Sequence, residues 1–534
     1  MFRVVPIAHS IIDGWRLGAV VTCLLVLMPI LGLSLLALGD SSTIWPSMLQ
    51  TVLPRYVLTT LALTLGVALI TAFIGTMTAW FITFFNFPGR NILLWAMLLP
   101  LALPTYIAAY CYTDLLDYAG PVFTLWRKWL PLETYPDIHS IGGAILILSF
   151  VLYPYVYLSA RTSFIQQSTG LIENARLLGL SPKQCFWRVA LPLSRPAIAL
   201  GVLLAVMECL NDIGAVEHLG VQTLTTGIYS TWINRGSLAG AAQLALAMLS
   251  IVALLVIVEH SLRKMGSFQS SRLRNRSIRR FDLSPLARWS ICLLCALPII
   301  IGFVIPIGIL LSNAHAPDIV TLRAAGNSLS LAISAALFTL FIAVFLAYAR
   351  RSAIPEGRGR LARLAAIGYA IPGTVLGLGL LIVLTRLTHL TNGSIILTGT
   401  IFGLLYAYGV RFLSLAYGTI DDGFDRIPRN LDLAARSLGA SRRSVLTRLH
   451  SQLMRAPLIA ALLLVFVDAM KELPATLILR PFNFETLSTQ VYTQASLGQF
   501  EQAALPALTI VAVGLIPIFI MLQLFDRLRQ KSRA

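Results

Sequence analysis

Long apolar runs alternate along the chain with short polar stretches rich in arginine. Runs of about 20 apolar residues are what a helix needs to cross a bilayer. They predict about 12 spans, at 17–38, 57–85, 91–116, 141–163, 196–216 and 238–262, then 289–312, 327–349, 362–386, 395–418, 457–479 and 504–525. The cations fall in alternate loops: Arg3 and Arg16, Arg90, the stretch after the fourth span, Arg263 to Arg280, Arg350 to Arg363, the stretch after the tenth span, and Arg527 to Arg533. The positive-inside rule places these segments, and with them both termini, in the cytoplasm. The opposite loops are poorer in arginine and carry Asp114, Asp117, Glu133 and Asp137. The predicted class is an all-α polytopic membrane protein.

The apolar pattern occurs twice. TLALTLGVALITAFIGTMTAWF (60–81) matches SLSLAISAALFTLFIAVFLAYA (328–349), Pro104 stands in the place of Pro372, and TLTTGIY (223–229) matches TLSTQVY (486–492). An even number of spans per half keeps both halves in one orientation, so they are parallel repeats about an axis along the membrane normal. The expected halves are 1–262 and 289–534, joined by the basic linker 263–288, read as a solvated cytoplasmic loop.

A polar stretch also recurs, at 173–195 and 433–455, without a gap. Ala175, Arg176, Leu178, Gly179, Ser181, Arg188, Leu193 and Arg195 return as Ala435, Arg436, Leu438, Gly439, Ser441, Arg448, Leu453 and Arg455. In the first copy 171–178 suits a short helix and Gly179 a C-terminal turn with positive φ. Ser181 is placed as N-cap, Pro182 as the first helical residue and Gln184 as the far end of a capping box. Pro192 and Pro196 are expected to limit the second helix. In the second copy Gly439 and Ser441 keep the turn and cap, with Ser444 making a weaker box. A basic helix–turn–helix repeated at matching places reads as a docking site used twice.

Composition narrows the class without changing it. Of 534 residues 57% are hydrophobic, and the mean hydropathy of +0.79 excludes ordinary soluble and disordered chains. The formal net charge of +18 would point to nucleic acid in a soluble protein, but here it follows the loops. Cys23, Cys111, Cys185, Cys209, Cys292 and Cys295 mostly lie in apolar runs, and Cys292-x-x-Cys295 inside a span reads as packing, not a redox or zinc pair. The first apolar run is long enough to span and has no convincing cleavage site.

Acids inside spans are costly and usually face a cavity or a partner. Glu208, Asp212 and Glu217 lie in MECLNDIGAVEH; Asp468 and Glu472 flank Lys471 in VDAMKELPAT. Glu208 and Asp212 are read as sharing a helix face at i, i+4, as are Asp468 and Glu472. The repeat sets Glu208 opposite Asp468 and Asp212 opposite Glu472, an acidic ring suited to a hard cation and repellent to sulfate or phosphonate. The other reading is structural: Lys471 neutralises a neighbour, and the remaining acids pair with arginine or cap broken helix ends. Gly214 and Pro474 are expected to end or kink these spans, giving re-entrant segments 214–236 and 474–503. Tyr106, Tyr110 and Tyr112 are read as packing or interface aromatics.

The repeated stretch resembles the EAA loop of ABC-transporter permeases, whose pattern is E-A-A-x-x-x-G followed by an apolar residue and Leu-Pro. Glu173, Ala175, Gly179, Leu191 and Pro192 fit it; in the second copy Leu433 replaces the Glu, and Ser451 with Gln452 replaces Leu-Pro. Residues 98–122 and 471–492 look like the fused permeases of ferric-iron importers. The resemblance implies a type I importer permease of two parallel six-helix repeats. It implies coupling loops 164–196 and 419–457, in which 173–188 and 433–448 dock into an ATPase through Glu173, Ala175, Arg176, Gly179, Ser181, Arg188, Ala435, Arg436, Gly439, Ser441 and Arg448. The chain has no G-x-x-x-x-G-K-[ST], so ATP and Mg belong to a separate ATPase, expected in two copies. A periplasmic substrate-binding protein and the lipid bilayer are the other implied partners, with no nucleic acid, no cofactor of its own and no stably bound metal. The implied function is alternating-access import of ferric iron across the bacterial inner membrane, with thiamine, polyamine or aminophosphonate as alternatives. An ion-coupled secondary transporter accounts for the duplication and the acids but not for the repeated helix–turn–helix. A membrane enzyme lacks a nucleophile or metal-ligand cluster.

Overall fold

The computed structural model describes residues 14–39, 45–118, 120–129, 135–167, 171–267, 280–281, 283–351, 368, 371–394, 396–441 and 444–531. Arg3, Glu133, half of the linker (268–279 and 282), Arg358, Arg360, Arg363 and 362–367 with 369–370 of the ninth expected span lie outside them. Among the described residues ten helices are long and apolar enough to cross a membrane, or twelve if each of two bent pairs is one span. Their backbone groups are satisfied within each helix, as a bilayer requires.

Three spans differ from the pattern read along the sequence. The third breaks before Pro104 into Arg90–Ala96, a 3-10 turn Leu99–Ala102 and Thr105–Leu116, because proline supplies no N–H and disfavours helix in the residue before it. The fifth ends at Asn211, short of 216, and the eleventh ends at Met470 before a second short helix, Pro474–Leu479. Conversely, Pro192 and Pro196 do not limit their helix, which runs from Pro182 to Asn211. A π-turn at Phe186–Ala190 delivers Pro192 into the first turn of Leu191–Asn211, where its missing N–H costs little.

The chain forms two compact units that do not coincide with the sequence repeats. One consists of Met1–Leu35, Leu329–Ala469 and Ile478–Asn483; the other of Leu36–Ser328, Met470–Leu477 and Phe484–Ala534. In the first unit, helix Gly14–Ala37 packs on second-half helices. Tyr406 donates to the Leu25 carbonyl at 2.5 Å, and a Cβ on Gly379 would sit 2.6 Å from the Pro29 carbonyl oxygen. In the second unit, Leu53–Phe84, Ile141–Gln167 and Leu191–Asn211 pack together. A Cβ on Gly201 would lie 2.7 Å from the Val156 Cα, so a small residue sets how closely these helices approach. Pro285–Ile299 packs on Leu53–Phe84, and Ile305–Ser312 on Thr105–Leu116 and Phe500–Lys531. The first span of each repeat thus belongs to a unit built mostly from the other repeat.

The duplication extends to single hydrogen bonds. Thr223 and Thr486 open helices Leu224–Ile233 and Leu487–Ser496 with capping boxes closed by Thr226 and Thr489. The next amide in each case donates to a hydroxyl at an aligned position within another helix: Leu224 to Thr60 at 3.0 Å, Leu487 to Ser328 at 2.7 Å.

Candidate functional site

Both copies of the polar stretch fold as helix, tight turn, helix. Glu173–Leu177 ends at Gly179 with φ 84°, and Arg429–Ser437 ends at Gly439 with φ 86°. Each turn is a Schellman closure: Leu180 N–H donates to the Ala175 carbonyl and Gly179 N–H to Arg176, matched by Ala440 to Ala435 and Gly439 to Arg436. Ser181 and Gln184 form the expected capping box, at 2.9 and 3.3 Å. In the second copy the Ser444 amide donates to Ser441 Oγ at 3.2 Å. π-turns follow at Phe186–Ala190 and Val445–His450, which are aligned positions.

The turns present apolar tips. Leu177, Leu178 and Leu438 are all more than 80% exposed, in a segment otherwise dominated by charge. Glu173 is half-buried, Ala175 buried, and Ser181, Arg188, Arg436, Ser441 and Arg448 exposed. Arg176 instead turns inward and stacks over the Phe281 ring at 4.1 Å. Phe281 is buried and pairs with the end of Leu53–Phe84, its N–H donating to the Phe84 carbonyl at 2.7 Å. The linker is therefore not a solvated loop at this point: one apolar side chain among its arginines anchors it beneath the first copy.

The two copies are attached to their helices by opposite chemistry. Beneath the first, Trp80 packs against Phe84, Phe164 and Phe186 with ring centroids 4.4–5.7 Å apart. Beneath the second, the aligned positions hold Tyr348 for Trp80, Phe424 for Phe164, Leu446 for Phe186, Asp432 for Ile172 and His450 for Ala190. Arg351 clamps Asp432 through Nε and Nη2 at 2.7 and 3.1 Å and also donates to the carbonyls of Phe424 and Ile427. His450 Nε2 lies 2.8 Å from the second carboxylate contact, Asp432 Oδ1. Arg350 pairs with Asp421 and Asp425, both at 2.5 Å. Burial alone raises the Asp432 carboxyl, but the bonds from Arg351 and His450 outweigh it and hold the group below the usual carboxylate range.

The intramembrane acids occupy a second, distinct place. Helix Leu191–Asn211 stops before Asp212, whose backbone is extended, and Glu472 lies two residues beyond Met470. The i, i+4 face read from the sequence is therefore not formed, because both acids turn round to cap the next short helix. Asp212 Oδ1 accepts from the Ala215 amide at 3.0 Å, and Glu472 Oε1 from the Ala475 amide at 3.0 Å. Both are buried, whereas Glu208 and Asp468 are half-buried. The two caps lie side by side: a Cβ on Gly214 would meet the Leu473 side chain at 2.8 Å. Glu208 stays within electrostatic reach of Asp212, and Tyr492 donates to Glu217 at 2.8 Å. No group of three or more His, Cys, Asp or Glu able to hold a metal occurs among the described residues.

Sequence reasoning missed Arg351, His450, Asp432 and Phe281. Asp432 and His450 leave a trace in the replacement of the apolar Ile172 and Ala190, Arg351 was counted only as a loop cation, and Phe281 stands out only as an apolar residue among arginines.

The sequence profile of the binding-protein-dependent transport system inner membrane component matches residues 72–265 and again 340–531. The chain belongs to that family. It is a fused permease carrying the family's domain twice, and a multi-pass inner-membrane transport component, not a secondary transporter. It is 27% identical over 463 residues to the Fe(3+)-transport system permease protein FbpB 2 of Haemophilus influenzae, covering 84% of this chain and 85% of that one. It is 34% identical over 143 residues to the sulfate transport system permease protein CysW of Escherichia coli K12, covering 27% and 48%. A probable molybdenum ABC transporter permease protein of Haloferax volcanii is 28% identical over 256 residues, covering 47% and 91%.

Proposed function

We propose that this permease imports ferric iron by alternating access, driven by a separate cytoplasmic ATPase and supplied by a periplasmic binding protein. The observation that carries the iron assignment is the likeness to the Fe(3+) permease along most of both chains, where the sulfate and molybdenum relatives match half of this chain or less. The buried acids at the paired caps support it, since carboxylates favour a hard cation over an oxyanion. In this reading 173–188 and 433–448 are the coupling segments, in contact with two ATPase subunits through Glu173, Arg188, Arg448 and the exposed Leu177, Leu178 and Leu438. Both lie on the cytoplasmic side with the chain termini. ATP closes the ATPase pair, the segments move together, and the outward-open permease takes substrate past Glu208, Asp212, Asp468 and Glu472. Hydrolysis resets the inward-facing state.

The test is uptake of radiolabelled ferric iron in cells lacking their own iron importers. The chain is expressed with its ATPase and binding protein as wild type, as Glu173→Ala and as the Glu208→Gln plus Glu472→Gln double variant. Import by wild type with at least a tenfold loss in both variants, each still inserted in the membrane, is the expected result. A second reading rests on the 34% identity to the sulfate permease. Uptake of labelled sulfate or molybdate, and none of iron, replaces the ferric assignment with that one.

A further inference from the structure

The turn between the second span and the helix Arg90–Ala96 carries an arginine that folds back on itself. Pro88 and Gly89 make a type II turn: Gly89 has φ 70° and ψ −1°, and the Arg90 amide donates to the Phe87 carbonyl at 3.4 Å. Arg90 is thereby returned to the end of Leu53–Phe84, where its Nε donates to the Ile82 carbonyl at 2.6 Å. Its Nη1 donates to Asn91 Oδ1 at 3.3 Å. Arg90 is only 8% exposed, and these two bonds hold its guanidinium in place before any ligand arrives.

A second cation comes from far along the chain. Phe281 pairs in parallel with Phe85: its N–H donates to the Phe84 carbonyl at 2.7 Å, and its carbonyl accepts from the Asn86 amide at 3.4 Å. That pairing brings the preceding linker residue, Arg280, beside the turn. An open cavity of about 390 Å³ is lined by Asn86, Gly89, Arg90, Asn91, Ile92 and Arg280. No acidic residue lines it among the described residues. With its Oδ1 engaged by Arg90, Asn91 has N–H donors to offer.

We propose that this cavity holds the phosphate of an anionic phospholipid, in the leaflet on the side of the polar segments. Guanidinium groups match phosphate oxygens in charge and geometry, and basic pockets between membrane helices take anionic headgroups. A free phosphate offers the same chemistry, but the surroundings favour the lipid. Ile92, in the cavity wall, is 75% exposed. Helix Pro285–Ile299 packs on Arg90–Ala96 and leaves Leu286 and Trp289 exposed. Apolar side chains beside a polar cleft suit acyl chains below a headgroup, with tryptophan at the interface. Two cations and no acid favour an anionic lipid over a zwitterionic one, whose ammonium finds no partner. The lipid ties the linker to the turn and, through Phe281, to the Arg176 that stacks on it from the first polar segment. The site goes beyond the import reading and stands whichever solute is carried.

The test is native mass spectrometry of the full chain in a neutral detergent, titrated with phosphatidylglycerol or with phosphatidylethanolamine. Wild type is expected to bind the first phosphatidylglycerol about fivefold more tightly than the first phosphatidylethanolamine. Arg280→Gln and Asn91→Asp, both at exposed positions, should each lose about fivefold of the phosphatidylglycerol affinity at an unchanged melting temperature. Aspartate keeps the acceptor that Arg90 uses and adds a repelling charge, so Arg90 stays where it is. Arg280→Lys, which keeps the charge, should retain most of the affinity. Arg426→Gln, which removes an exposed cation from the second half, should change nothing. Equal losses in Arg280→Gln and Arg426→Gln mean diffuse attraction to basic loops and overturn the proposal. So do equal affinities for the two lipids, and loss of the lipid adducts to millimolar inorganic phosphate, which makes free phosphate the occupant.

Discussion

Asp432 illustrates how one residue can change the character of an attachment. In the first copy the buried Ile172 occupies its place; in the second the carboxylate takes a two-point clamp from Arg351 and a contact with His450. Removing one partner of a buried pair leaves the other charge uncompensated, at a cost of about 3–5 kcal/mol. Asp432 keeps 23% of its side chain exposed, so Asp432→Ala is expected at the low end, about 3 kcal/mol. Ile172→Asp should also destabilise the first segment, where no aligned arginine waits. Both are read as drops in melting temperature of the detergent-solubilised chain. The pH dependence has a fixed sign. The folded Asp432 carboxyl sits below its ordinary value, so its contribution is fully present above the unfolded pKa of about 3.9 and is lost as pH falls through the lower folded value. Melting curves from pH 7 to about 3 should therefore show the gap between wild type and Asp432→Asn closing at the acid end. A gap that widens there sinks this account.

At the scale of the element, the helix–turn–helix depends on a left-handed residue. Gly179 and Gly439 have φ 84° and 86°, and a Cβ at either would meet nothing within 4 Å. Alanine at either position therefore strains the backbone without a clash, at about 1–2 kcal/mol. Since the two Schellman closures are alike, Gly179→Ala and Gly439→Ala should cost the same in thermal melts, despite the different attachments beneath. Ser181→Ala and Ser441→Ala should not: only the first removes a capping box closed from both sides, worth about 1 kcal/mol. A Gly439→Ala cost far above that of Gly179→Ala shows the second turn to be held by something other than its backbone.

At the scale of the whole molecule, the exchange of first spans ties the two repeats into one folding problem. Gly14–Ala37 packs with second-half helices and Pro285–Ile299 with first-half helices. Expressed alone, a fragment ending at residue 270 lacks the helix that covers Leu53–Phe84, and it leaves Gly14–Ala37 without Tyr406 and Gly379. Fragments 1–270 and 271–534, divided within the linker, should each be degraded alone and co-purify when expressed together. Stable accumulation of either fragment by itself contradicts the exchange.

The sequence alone determined what rests on local chemistry and on the bilayer. Span number follows from run length and loop charge, because neither depends on distant contacts. The Schellman turns and the Ser181 box were legible because glycine, serine, proline and glutamine act within four residues of one another. The duplication was legible down to the matched segments 223–229 and 486–492, but the threonine caps that open their helices were not read from them. Tertiary structure alone decided the rest. Whether Pro192 ends a helix depended on a π-turn, and whether Asp212 and Glu472 share a face with Glu208 and Asp468 depended on caps formed beyond the helix ends. Phe281 became an anchor, and Asp432 and His450 members of a clamp, only because helices far apart in sequence meet there. Packing partners are set by three-dimensional approach, and no spacing along one chain encodes which surface a side chain will find.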